Sequence, residues 1–469
     1  MTLKALRAEL PALLHLALPL IAAELGWMAM SVVDTIMVGR LPHSAVAMAG
    51  AALSQVCFNV LTFATGGVLL GLDTLISQAF GAKQIDEANR WFLHGLAMAV
   101  GLTAGLTSLL LLMPALLLHL PVERDILAIS VPALRGLIWG VPALLFYFTL
   151  RRYLQAAGHG RPIAFALISA NLINAGGDWL LLYGHRWRGL SVPAFGVVGS
   201  SWSTSFSRLY MMLVLLAALL LADRKHSYHV LRDARDRVRR RIEFDRLRRL
   251  FLLGVPAGAQ IFVEIVIFAF VTTLIATFGP QPLAGHEIAL QCASTMFMVP
   301  FAISSATAVR VGHSIGRMRA GVGAISEVAA AGWTGILAGA GFMLFASVLL
   351  LAMPARIAHI FTPDKGVIAA AIPLLAIAAG FQFFDGIQIT ATGAMRGAGN
   401  TAAPFYTQLV CFWAVGMPLG MLLGFHERIG AAGLWWGLLI ALTAAAVVLL
   451  YFWQRTLKTL NVVANAEPI

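Results

Sequence analysis

Apolar runs long enough to cross a bilayer follow one another almost from end to end of this chain, and they leave few folds open to it. A membrane-spanning helix needs about 20 mostly apolar residues. Twelve such runs lie between polar or Gly/Pro breaks, near 12–38, 45–76, 92–119, 127–150, 162–184, 194–222, 250–278, 284–310, 328–352, 367–393, 403–424 and 431–454. Only 12% of the 469 residues are charged, against about 25% in a soluble domain, and the mean hydropathy is +0.84. A transmembrane β-barrel would alternate apolar and polar residues in segments of about 10, and that pattern is absent. The fold class expected is an all-α integral membrane protein with 12 transmembrane helices.

Several functions are excluded by what the sequence lacks. No GxxxxGK[ST] phosphate loop occurs, so the chain carries no ATPase of its own. The histidines make no HExxH or similar cluster, and an intramembrane enzyme is not expected. Cys57, Cys292 and Cys411 are scattered through apolar runs and read as buried thiols. The first run passes Pro19 towards Gly39 and is too long for a cleaved signal, so it is read as the first span. No cofactor is expected, and no nucleic-acid partner, despite a net charge of +12.

That charge has a topological reading. With a cytoplasmic N-terminus, the inner segments hold 24 of the 33 Lys and Arg residues and the outer loops hold seven, with Arg135 and Arg208 inside spans. The excess of positive charge marks the cytoplasmic side, so both termini are expected in the cytoplasm. Eleven of the basic residues fall in 224–249, which reads as the joint between two halves. The expected domains are an N-terminal lobe at 1–222, a basic cytoplasmic linker at 223–249 and a C-terminal lobe at 250–469.

The two halves repeat each other. Residues 35–53, TIMVGRLPHSAVAMAGAAL, align with TLIATFGPQPLAGHEIALQ at 273–291; LQAAGHG at 154–160 aligns with MRGAGNT at 395–401; FGVVGSSW at 195–202 aligns with IGAAGLWW at 429–436. Six spans per repeat is an even number, so both halves enter the membrane in the same sense. The repeat thus predicts two six-helix lobes related by a pseudo-twofold axis along the membrane normal, around a central cleft. The acids do not repeat: Asp34 falls on Thr272, Glu264 on Gly26, and Asp385 on Leu144 or Leu145.

A charged side chain at mid-helix costs about 2.5–3.5 kcal/mol to insert, so acids inside spans are candidate ion or substrate sites. They are Glu24, Asp34, Asp73, Asp178, Glu264 and Asp385, with Glu287 near a helix end. Asn174 and Asp178 are four residues apart and share one helix face. Asp34 and Asp178 both fall in the outer half of their spans. Two carboxyls packed together would share a proton, or with Asn174 would cage a small hard cation such as Na⁺. Glu264 and Asp385, the latter flanked by Gln382 and Gln388, form a second candidate set. Glu24 and Asp73 can be read equally as packing partners or as functional groups.

The motifs VDTIMVGRL, FVEIVIFAFVTTLIATFG with AGHEIALQ, VPFAISSATAVRVGHSIG and FQFFDGIQITATGAMRGAGNT together resemble the multidrug and toxic compound extrusion (MATE) family, in its NorM-like bacterial branch. The resemblance runs from about residue 10 to 455. It implies a V-shaped, two-lobe antiporter of the bacterial inner membrane that exports organic cations or drugs against H⁺ or Na⁺ by alternating access, acting as a monomer with the lipid bilayer around it. Carried over by motif, the N-lobe coupling residues are Asp34, Asn174 and Asp178, with a sixth-helix hydroxyl at Ser203 or Thr204. The C-lobe cation or substrate residues are Glu264, Asp385 and the adjacent Gln382. A Na⁺ ion would sit on Asp34, Asn174 and Asp178, or on Glu264 and Asp385. Many relatives place a tyrosine one turn before the tenth-helix aspartate; Phe381 stands there and offers no oxygen, which tilts the ion towards H⁺. Loading of the N-lobe acids is expected to bend or repack the first helix near Pro19 and Gly26. The nearest rival, a lipid-linked saccharide flippase of the same broad superfamily, would be expected to have a more cationic cavity.

Overall fold

The structure, a computed structural model, describes residues 3–42, 44–119, 122–187, 190–230 and 242–466, so residues 231–241 of the basic linker and Arg188 lie outside the described residues. Apart from a short hairpin of β1 (His185–Trp187) and β2 (Leu190–Val192), the described elements are helical. They are α1 (Leu3–Val38), α2 (Ser44–Gly67), α3 (Gly71–Gly81), α4 (Ile85–Leu117), α5 (Arg124–Ile138), α6 (Val141–Ala156), α7 (Gly160–Tyr183), α8 (Val197–His226), α9 (Phe244–Ala276), α10 (Pro280–Arg319), α11 (Ile325–Ala352), α12 (Pro354–Phe361), α13 (Lys365–Gly397), α14 (Ala402–Leu409), α15 (Met417–Met421) and α16 (Ala431–Ala466).

Among the described residues, eleven helical segments are long and apolar enough to cross a membrane, and a twelfth if α5 and α6 count as one span bent by 46°. All twelve runs read from the sequence fall on helix. One interruption has a local cause. Pro142 sits in the first turn of α6, where a missing N–H is tolerated, and the chain turns there at Trp139–Gly140. A 3₁₀ turn, Val68–Leu70, joins α2 to α3 inside the second span. Two π segments, Val410–Gly416 and Leu422–His426, flank α15.

The chain forms two compact units that interleave in sequence, whereas the boundaries expected from the repeat follow the chain. The N-terminal unit holds residues 22–72 and 84–254; the C-terminal unit holds 1–21, 73–83 and 255–469. In the C-terminal unit, polar contacts tie the two early segments down. Arg310 donates to Glu9 at 2.5 Å, Thr74 donates to the Arg396 carbonyl at 2.5 Å, Gln78 donates to the Gly397 carbonyl at 3.0 Å, and Asp73 lies 3.5 Å from Arg396. The apolar core of this unit includes Ile267, Val271, Phe381, Phe412 and Trp435, with a second cluster around Trp453. In the N-terminal unit a smaller cluster gathers Val38, Ala47, Ala133, Leu182 and Val197 beside the ends of α1 and α7.

Candidate functional site

Three side-chain contacts lay α1 alongside α7 in the N-terminal unit. Asn171 donates to the Gly26 carbonyl at 2.9 Å, Asn174 donates to Asp34 Oδ1, and the Tyr183 hydroxyl donates to the Met37 carbonyl at 2.7 Å. Residue numbers rise together along both helices, so the two run parallel, as the first and fifth spans of one lobe must. This ladder brings Asp34 to the face of α7 that carries Asn174 and Asp178.

The third wall is α8. Ser203 donates to the Asn174 carbonyl at 2.8 Å, and Ser207 donates to Asn174 Oδ1 at 3.3 Å. Gly177 permits this approach, since a Cβ there would overlap the Ser203 hydroxyl. Small residues at a helix crossing let backbones come close in a membrane protein. Thr204 donates to the Ser200 carbonyl at 3.0 Å and faces Asp34. Asn174 and Asp178 have no exposed surface, and Asp34 is buried.

Asp178 lies beside the Asp34 carboxyl and the Ser200 and Ser203 hydroxyls. Neither of its oxygens has a well-formed hydrogen bond among the described residues. A buried polar group left in that state carries a desolvation cost of about 1–3 kcal/mol, and more when charged. Binding a proton or a cation would remove that cost. The five N-lobe residues singled out from the sequence, Asp34, Asn174, Asp178, Ser203 and Thr204, therefore converge. Ser207 and Arg208 join them without having been singled out for this site; their signal was a position three or four residues beyond Thr204 on the same helix face.

The C-terminal unit holds a second polar cluster. Gln408 of α14 donates to Glu264 Oε2 of α9 at 3.0 Å and accepts from Gln260 at 2.7 Å and from Gln388 at 3.4 Å. Asp385 on α13 is buried and within electrostatic reach of Glu264. Gln382 donates instead to the Ala293 carbonyl at 3.3 Å. Gln408 and Gln260 went unremarked in the sequence. A π segment begins two residues after Gln408, a deviation often found at functional sites. Phe381 is buried between the Phe268 and Trp435 rings, with centroids 6.1 and 5.9 Å away.

The remaining span acids have structural partners. Glu24 pairs with Arg151 of α6, both buried, and Asp73 approaches Arg396. Glu287 is exposed.

The sequence matches the MatE family over residues 19–180 and 256–422. It is 33% identical to the multidrug resistance protein PmpM of Pseudomonas aeruginosa, over 95% of this chain and 91% of that protein. It is 32% identical to a probable multidrug resistance protein NorM of Pseudomonas putida, over 96% of each chain. Among solved structures, a MATE in complex with MaL6 superposes with a TM-score of 0.85 at 17% identity, covering 98% of this chain and 99% of that one. The eukaryotic MATE transporter AtDTX14 gives 0.81 at 19% identity, covering 98% and 100%. The fold is shared with these structures, and the chain belongs to the MatE family.

Proposed function

We propose that this chain is a secondary multidrug efflux antiporter of the bacterial inner membrane, exporting organic cations in exchange for H⁺ or Na⁺, with both termini cytoplasmic and acting as a monomer. The observation that carries the reading is the buried Asp34–Asn174–Asp178 cluster, in a chain whose relatives are named multidrug resistance proteins. Intramembrane carboxyls are costly, and those without a cation in contact mark ion or substrate sites.

In this reading the ion enters at Asp178, whose carboxyl oxygens have no well-formed hydrogen bond among the described residues, and is shared with Asp34. Loading changes what Asn174 and the α8 hydroxyls can bind, and so how α1 lies on α7. Helix α1 is suited to respond. It passes from one compact unit to the other at Ile21–Ala22, between Pro19 and Gly26, where a proline and a glycine weaken the helix. Glu264 and Asp385 supply the negative charge that would hold a cationic substrate or a second ion, with Gln408 orienting Glu264.

The test is ethidium efflux from a pump-deficient strain expressing this chain, followed by proteoliposomes given a pH gradient or a Na⁺ gradient alone. Transport under one gradient names the ion. No transport of any organic cation under either gradient would overturn the reading and favour a lipid-linked saccharide as substrate.

A further inference from the structure

A groove of about 430 Å³ runs between α4, α6 and α8 of the N-terminal unit, at the ends of these helices nearest the linker. Helix α6 packs against both α4 and α8. It supplies Phe146 and Leu150, while α4 supplies Leu93 and α8 supplies Met212, Leu216 and Leu220. The lining is apolar apart from Asp223, which stands with Val230 at the linker end.

The shape of the groove suits one alkyl chain. Met212, Leu216 and Leu220 recur every four residues and so form a single stripe on α8. From Met212 to Asp223 the helix rises roughly 16 Å, at about 1.5 Å per residue. That is close to half of a hydrocarbon core about 30 Å thick, so the groove is as deep as one leaflet. A drug-sized ligand is oriented by a few polar groups in its pocket, and the length of this groove offers none.

Charge at the mouth selects the kind of lipid. The four-residue stripe of α8 continues to Arg224, with Lys225 after it, and both are exposed. On α4, Arg90 stands three residues before Leu93 and shares its face. Its ion pair with Glu87 is long, 3.8 Å, and Glu87 is held by Arg246 at 2.6 Å. Asp86, in the first turn of α4, is likewise engaged. Asp223 is turned to the chain itself and accepts from the Val230 N–H at 2.9 Å. Each side wall of the apolar slot is thus crowned by an arginine. Basic pockets between spans on the cytoplasmic side are places where anionic headgroups bind.

We propose that this groove binds one anionic phospholipid, with an acyl chain laid along α8 and its phosphate at Arg90 and Arg224. Naming the leaflet as the inner one rests on the reading of cytoplasmic termini. The binding itself rests neither on that reading nor on antiport.

The experiment uses the full chain in detergent, with native mass spectrometry counting bound phosphatidylglycerol or phosphatidylcholine. Wild type is expected to hold one phosphatidylglycerol about tenfold more tightly than phosphatidylcholine. Arg90→Gln/Arg224→Gln should bring that lipid down to the affinity of phosphatidylcholine. Leu216→Trp and Leu220→Trp each fill the groove with every charge in place, and each should retain one lipid fewer. Equal retention of the two lipids by wild type overturns the proposal, as does a wild-type preference in the double Gln variant. Wild-type retention in both Trp variants overturns it too. Arg224 is exposed and the Arg90 side chain is 35% exposed, so the double Gln variant is expected to fold even where a Trp variant does not, which its melting temperature checks. Phosphatidylglycerol held in this way by a protein that moves no ethidium supports the site and counts against antiport alone.

Discussion

Glu24 of α1 and Arg151 of α6 meet as a buried ion pair, their side chains 9% and 4% exposed. This acid lies ten residues before Asp34 on the same helix, yet its environment differs in kind: it has a cation in contact, whereas Asp34 has the Asn174 amide. Removing one partner of a buried pair costs about 3–5 kcal/mol, while replacing both by apolar groups can be neutral. We expect Glu24→Met to lower the unfolding temperature of the detergent-solubilised protein markedly, and the Glu24→Met/Arg151→Met double variant to recover most of that loss. Equal melting of wild type and Glu24→Met would contradict a structural role.

In the C-terminal unit, Gln408 is the donor that holds Glu264. If Glu264 recognises cationic substrates, Glu264→Gln should weaken binding of an organic cation at least tenfold, about 1.4 kcal/mol. Gln408→Ala should weaken it less, because the charge remains but loses its orientation. Fluorescence polarisation of a bound dye reads both. Unchanged affinity in Glu264→Gln would assign substrate recognition elsewhere.

Thr272 stands at the repeat position of Asp34, and its hydroxyl is 2.8 Å from His286 Nε2. That hydroxyl already donates to the Phe268 carbonyl, and the Trp435 indole N–H donates to His286 Nδ1 at 3.1 Å. His286 is thereby fixed as the neutral tautomer with its proton on Nε2, a packed polar joint with no exposed surface. Trp435→Phe leaves Nδ1 without its donor and should cost about 1–3 kcal/mol in stability. Thr272→Val should leave the response to an ion gradient intact. Loss of ion-driven efflux in a folded Thr272→Val protein would show that both halves couple.

Where α7 begins, burial lowers the pKa of His159, helped by the charges of His226 and Lys225; the Tyr228 hydroxyl lies 3.2 Å from its ring. The unfolded chain then binds a proton more readily than the folded one, so stability falls as pH drops below about 6.5 and levels off below the folded value. We expect the protection factors of amides around residues 157–160, after correction for intrinsic exchange at each pH, to fall between neutral and mildly acid pH, and His159→Asn to remove that dependence. A flat wild-type profile would contradict it.

Much of this was legible in the sequence, because lipid imposes strict rules. Backbone groups must bond within a span, so apolar length located the helices. The N-lobe residues converged because a four-residue spacing puts Asn174 and Asp178 on one face. Pairings across the fold were less accessible. Nothing local distinguishes Glu24, whose partner is 127 residues away, from Asp34, whose partner is 140 away. Arg208 read as one of two basic residues in spans, and its seat over the Phe58 ring depends on how α8 meets α2, which no local pattern shows. Gln408 and Gln260 were hidden because neutral amides inside apolar runs carry little signal until a carboxylate is found beside them. The placement of α3 in the C-terminal unit follows from its docking through Thr74 and Gln78, which no local pattern encodes.

The central claim is that Asp34 couples ion entry to export, and one comparison tests it most directly. Wild type and Asp34→Asn, reconstituted side by side at equal density, are given the same inward H⁺ gradient and ethidium flux is followed. We expect the variant, folded and still able to bind ethidium, to fall to the level of protein-free vesicles. Flux in Asp34→Asn equal to wild type under that gradient would contradict the claim.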